Sequence, residues 1–106
     1  MVVNRFDVYL IELDPTIGSE IKKTRPCLIV SPNEMNCLKT VLIAPMTTKG
    51  FHAPSRVELH FQDKTGLVLL DQLRSVDKSR LIKKLGTIDT KTQKIISATL
   101  VDMFEF

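Results

Sequence analysis

Apolar positions along this chain come in short runs and not in a helical rhythm. Phe6–Leu13 is apolar on both faces except at its ends and at Glu12, and Pro26–Val30 and Thr40–Met46 are continuous apolar runs. Successive side chains of a strand point to opposite sides, so runs this short predict strands buried on both faces. Arg56–Phe61 alternates strictly, with Val57, Leu59 and Phe61 on one side, which predicts a half-exposed strand. Leu67–Val76 starts apolar and turns mixed at Asp71-Gln72-Leu73-Arg74-Ser75, and Leu81–Ile88 reads as one more strand. About six short strands on mostly short connections predict a small barrel or sandwich.

Helical signals are confined to two places. Thr90-Lys91-Thr92-Gln93 has capping-box spacing, with Thr90 as the cap and Gln93 reaching back. Beyond it Ile96, Leu100, Met103 and Phe104 recur at i, i+4, i+7 and i+8, a single apolar stripe that predicts a C-terminal helix of about four turns. Asn33–Cys37 predicts one helical turn after Pro32. Two loops are long for so small a chain, Asp14–Thr24 and Met46–Ser55, and long loops in small domains carry function more often than packing.

The 106 residues suit one domain, 1–106, with a single core. No apolar run approaches the roughly 18 residues of a membrane span. The N-terminal residues lack a basic region followed by an apolar stretch, so the expectation is a cytoplasmic protein with no membrane association. Cys27, Cys37, His52 and His60 have no metal-ligand spacing, so neither metal nor cofactor is expected. Cys27, opening an apolar run, reads as a small core hydrophobe, and His60, on the outward side of the alternating strand, as surface. The net charge of +3 permits a polyanionic partner without demanding one. The cations cluster, with Lys22, Lys23 and Arg25 in one group and Arg74, Lys78, Arg80, Lys83 and Lys84 in another.

The densest chemistry lies in Leu13-Asp14-Pro15-Thr16-Ile17-Gly18-Ser19-Glu20, followed by Thr24-Arg25-Pro26 at the mouth of a strand. Arg25 can grip a phosphate through two parallel hydrogen bonds, and Glu20 is a proton acceptor nearby in sequence. These blocks, with Asp7-Val8-Tyr9, Pro45-Met46-Thr47-Thr48 and Asp71-Gln72-Leu73-Arg74-Ser75-Val76-Asp77, resemble the MazF/PemK family of toxin endoribonucleases in order and spacing over nearly the whole chain. The resemblance implies a mainly β fold, a small SH3-like barrel of the CcdB/MazF type with a C-terminal α-helix and short helical turns. It also implies a homodimer that cuts single-stranded RNA at short sequences without a metal, as the toxin of a toxin–antitoxin pair, and that a small cognate antitoxin neutralises.

Cleavage of this kind uses the substrate's own 2′-hydroxyl as nucleophile, so the enzyme needs a base, a clamp on the transition-state charge and an acid for the leaving oxygen. By resemblance, Arg25 is the clamp, Glu20 the base or the residue orienting Arg25, and Thr47 a hydroxyl donor to phosphate, with Thr48 beside it. Ser19, Lys22, Lys23, Asp71, Gln72 and Ser75 are expected to contact RNA, together with Phe51, the one aromatic placed for an exposed stacking role, and His52 in the same loop. Some relatives use the aspartate at position 71 as base, with an arginine two residues before it as acid; here that residue is Leu69, which favours the arginine–threonine version. Phe6 departs from the glycine of many relatives. A non-nucleolytic toxin that binds DNA gyrase on the same fold is the alternative, but the C-terminus, Leu100–Phe106, lacks the Trp-Gly-Ile type ending of such toxins.

Overall fold

The computed structural model describes residues 2–13 and 24–105. Seven strands, β1 (Asp7–Glu12), β2 (Thr24–Ile29), β3 (Thr40–Thr47), β4 (Arg56–Phe61), β5 (Lys64–Leu69), β6 (Arg74–Asp77) and β7 (Leu81–Thr87), precede helix α1 (Thr90–Phe104). They form one antiparallel sheet in the order β4-β5-β3-β2-β1-β7, with β6 also paired to β3. The sheet curls into a half-barrel. Gln62 at the β4–β5 turn donates from Nε2 to the Leu85 carbonyl at 2.9 Å, which joins the two ends of the strand order. Gly86 lies against the Phe61 ring so closely that a Cβ there would stand 3.0 Å from Cζ.

The apolar runs of β1, β2 and β3 are buried on both faces, as their sequence implies. Val8, Leu28, Ala44 and Met46 point to one core with Val57, Leu59 and Val68. Their neighbours Tyr9, Ile11, Cys27, Ile29, Val41 and Ile43 point to the other with Val76 and Leu81. Helix α1 covers the first core with Ile96, which is fully buried, while Leu100 and Met103 pack at its edge. Phe104, the last residue of the predicted stripe, is instead 70 % exposed. Among the described residues no helix is long and apolar enough to cross a membrane.

Two further local features differ from the sequence reading. The segment 67–76 is two strands, because the short 3-10 turn Leu70–Gln72 lets β5 and then β6 pair with the same edge of β3. The helix cap is Asp89, not Thr90: Gln93 N–H donates to the Asp89 carbonyl at 3.0 Å, and the Thr92 hydroxyl donates to Asp89 Oδ1 at 2.5 Å. Gln93 does reach back, but to the Ile88 carbonyl, at 2.9 Å. Phe6 has φ +73°, a left-handed conformation that costs an L residue about 1–2 kcal/mol. Glycine would be free of that strain, whereas Phe6 offsets it with a ring packed on the first core beneath the Arg5 guanidinium. The helical turn after Pro32 is a 3-10 turn, Asn33–Met35.

Gln62 and Asp63 both have positive φ, +50° and +63°, as a two-residue type I′ turn requires, so β4 and β5 form a tight hairpin with Phe61 opposite Lys64. That hairpin forms one wall of the site.

Candidate active site

A cleft of about 470 Å³ opens between β2, β3 and the β4–β5 hairpin. Its charged and polar wall holds Arg25, Thr47, Thr48, Lys49, Gln62 and Lys64, and its apolar floor includes Met46, Leu59, Phe61 and Leu67. The β2–β3 ladder ends at Cys27 opposite Pro45; beyond it Arg25 runs along β1, opposite Ile11, and Thr47 along β5, opposite Leu67, and both residues line the cleft. Two side chains far apart in sequence thus flank the end of one ladder. Three cations and no carboxylate occur among the described lining residues. Arg25 is exposed, and its guanidinium forms no ion pair with any described residue. A cation without an ion-pair partner among the described residues, beside an apolar floor, is set to receive an external anion.

Thr47 is fixed from two directions. Its hydroxyl oxygen accepts the Lys49 backbone N–H at 3.1 Å, which leaves its own proton to donate outward. Behind it, β5 approaches so closely at Gly66 that a Cβ would sit 2.6 Å from the Thr47 carbonyl oxygen. Only glycine allows this contact between β5 and the backbone of Thr47.

A second group stands beside the cleft. Arg56, whose side chain is only 12 % exposed, donates from Nε to Asp71 Oδ1 at 3.1 Å and from Nη2 to Oδ2 at 3.2 Å. The Ser55 hydroxyl adds a contact to Oδ1 at 3.3 Å. These hydrogen bonds, above all those from Arg56, hold the Asp71 carboxyl below its usual range. Arg56 also donates from Nη1 to the Phe51 carbonyl at 3.4 Å and lies over the Phe51 ring, 4.5 Å from its centre. Gly50 connects this group to the cleft: a Cβ on it would lie 3.5 Å from Arg56 Nη1 and 3.7 Å from the Thr47 methyl.

Of the residues singled out from sequence, Arg25, Thr47 and Thr48 meet in the cleft. Phe51 and Asp71 belong to the Arg56 group, and His52 stands exposed with Nε2 3.9 Å from Glu58. Gln72, in the 3-10 turn, and Ser75, opposite Leu42 on β6, are exposed but do not line the cleft. Ser19, Glu20, Lys22 and Lys23 lie outside the described residues. Cys27 is wholly buried, and burial pushes its thiol up to about 12. His60 is exposed and bonded to Thr65 at 2.7 Å. Among the described residues no cluster of three or more His, Cys, Asp and Glu is placed to hold a metal.

Sequence reasoning missed Lys49, Gln62, Lys64 and Gly66 in the cleft, and Arg56 beside it. The period-two alternation of β4 ends at Phe61 and a strand resumes after two polar residues, a pattern that signals a hairpin and hence a second wall. In that hairpin Arg56 pairs with Leu69, the last residue of β5, so Asp71 in the turn that follows lies within reach of a long side chain.

A curled antiparallel half-barrel with one C-terminal helix and a cationic cleft at the strand ends defines a toxin-type barrel, and the chain belongs to the family of PemK-like, MazF-like toxins of type II toxin-antitoxin systems, which it matches over residues 4–104. It is 31 % identical to endoribonuclease EndoA of Bacillus subtilis, with 94 % of this chain and 92 % of that protein covered. A solved endoribonuclease in complex with its cognate antitoxin from a mycobacterial species superposes with a TM-score of 0.77 at 27 % identity, covering 94 % of this chain and 92 % of that one. The MazE–MazF structure (Form-II) from Deinococcus radiodurans shares the fold, with a TM-score of 0.82 at 24 % identity over 97 % of this chain and 96 % of that one.

Proposed function

We propose that this chain is an endoribonuclease that cleaves single-stranded RNA in the cytoplasm, without a metal, as the toxin of a toxin–antitoxin pair. The observation that carries this reading is the convergence of Arg25 and Thr47 on one cationic cleft, with the guanidinium unpaired among the described residues. The substrate brings its own nucleophile. The 2′-oxygen forms a bond to phosphorus as its proton passes to a base, and the bond from phosphorus to the 5′-oxygen breaks as that oxygen takes up a proton. The products are a 2′,3′-cyclic phosphate and a 5′-hydroxyl.

Arg25 stays protonated throughout, since a guanidinium ionises only above about 12. Its role is to place donors on the non-bridging oxygens as negative charge gathers there. Thr47 donates its free hydroxyl proton to the same phosphate. Glu20 is the proposed base or the residue that orients Arg25. Ser19, Lys22, Lys23, Thr48, Lys49 and Lys64 are proposed to hold the flanking backbone. Gln72, Ser75 and His52 are left to contacts further along the RNA. Asp71, engaged by Arg56, acts through that residue and not as a base. The protein is proposed to work as a homodimer, and its antitoxin to be an acidic chain that covers the cleft.

The test is incubation of the pure protein with a long RNA in excess EDTA. Fragments ending in cyclic phosphate, with the rate cut by about 10²–10³ in Arg25→Ala, are expected. RNA left intact by the wild-type protein overturns the proposal, and stalled supercoiling by gyrase would then favour the non-nucleolytic alternative.

A further inference from the structure

Phe51 is the most exposed aromatic ring among the described residues, at 71 %. An isolated apolar ring in water would ordinarily swing freely, but this one is braced. The Arg56 guanidinium lies against one face, 4.5 Å from the centre, and the same side chain holds the Phe51 carbonyl. Arg56 is itself immobilised by a two-pronged pair with Asp71 in the Leu70–Gln72 turn, whose backbone is tied to the loop by the Leu70 N–H donating to the Ser55 carbonyl at 3.0 Å. One face of the ring is therefore occupied by a fixed cation.

The surroundings say what the ring is for. Thr48, Lys49, Gly50 and His52, its neighbours in sequence, are exposed and polar or small, so this stretch of loop offers the ring and no run of apolar side chains of the kind that proteins dock on. Gly50, the residue before Phe51, lies so near both Arg56 and Thr47 that a Cβ on it would contact each, which places this part of the loop next to the cleft. A single flat apolar surface beside a cationic groove fits one flat partner carried on a polyanion.

We propose that the outer face of Phe51 is a stacking platform for an unpaired base of the RNA next to the cleft, and that Arg56 is the positioning residue that holds the ring for it. This rests on the nuclease reading above and adds a base subsite to it. The cation beneath polarises the ring and lowers the entropy lost when a base stacks on it. Stacking on one aromatic ring is worth about 5- to 150-fold in binding.

Binding is measured with uncleavable 2′-O-methyl RNA of mixed sequence. Phe51→Ala should weaken it about 10-fold, with the fold intact by circular dichroism, since the ring is exposed. Phe51→Leu should weaken it too, because it keeps apolar character and loses the plane. Phe51→Trp should bind as the wild type does, and its fluorescence, in a chain with no other tryptophan, should be quenched by the RNA. In the Trp variant, Arg56→Lys should give weaker quenching and a shifted cleavage preference at one position flanking the cut, a readout that loss of stability alone would not move. Unchanged binding in Phe51→Ala, or Trp fluorescence indifferent to RNA, overturns the platform even if the wild-type protein cuts RNA. Loss of antitoxin binding alone in Phe51→Ala also overturns it. Intact RNA with wild-type protein sinks the nuclease reading separately, while the quenching result still reports on the platform.

Discussion

Gly66→Ala puts one methyl group where the structure has least room for it. The new Cβ would stand 2.6 Å from the Thr47 carbonyl oxygen and 3.3 Å from its carbon, and both are backbone atoms that cannot rotate aside. Ordinary contact begins near 3.4 Å, so β5 and β3 must separate by about 0.8 Å at this point. They are paired there, Thr47 opposite Leu67. Overpacking of this kind costs about 1–3 kcal/mol, and each kcal/mol lowers Tm by about 4–8 °C in a domain of this size. The displaced residue bears the hydroxyl assigned to the phosphate, and misplacement of about 1 Å at a reacting centre costs about 10²-fold in rate. Gly66→Ala should thus slow single-turnover RNA cleavage by one to two orders of magnitude, measured well below its own Tm, where the variant is folded. Gly50→Ala is the control. It has φ +129° but its Cβ would meet nothing nearer than 3.5 Å, so its backbone strain should lower Tm with a smaller effect on rate. Wild-type rate and Tm in Gly66→Ala would refute the claim that β5 positions Thr47.

The two thiols should separate cleanly. At pH 8 a thiol reagent should titrate the exposed Cys37 in the native protein, and both thiols only after denaturation; rapid native reaction of Cys27 would contradict its burial. Because folding raises the Cys27 pKa from 9.0 to about 12, the stability gained by keeping it neutral is full below the unfolded value and is lost as pH rises from 9 towards 12. Cys27→Ala should accordingly flatten the decline in Tm over that range. Lys49→Ala and Lys64→Ala should each reduce the slope of log K against log salt for single-stranded RNA by about 0.7, and an unchanged slope would remove that lysine from the phosphate path.

Strands were legible wherever burial imposed a pattern. β1, β2 and β3 are apolar at consecutive positions because two cores flank them, and β4 alternates because one of its faces meets solvent. The break between β5 and β6 was not legible, since a 3-10 turn at Leu70–Gln72 interrupts no apolar periodicity: Leu70 is itself buried. At the site, Arg25 and Thr47 stood out as residue types in a motif, and the cleft beyond the end of the β2–β3 ladder is where both are placed. Lys64, Gln62 and Arg56 did not stand out, because their roles depend on which strands a curled sheet brings together. The contact of Gln62 with Leu85 is settled by tertiary structure, and no local spacing encodes it.

The cleft borrows from β2, β3, the β4–β5 hairpin and, through Leu85, β7. A ribosome synthesising this chain meets those pieces one after another, and the last arrives only shortly before α1. Until then the nascent polypeptide carries Arg25, Thr47 and the hairpin wall but not the β7 side of the cleft, so the site proposed above is complete only once nearly the whole sheet has been made.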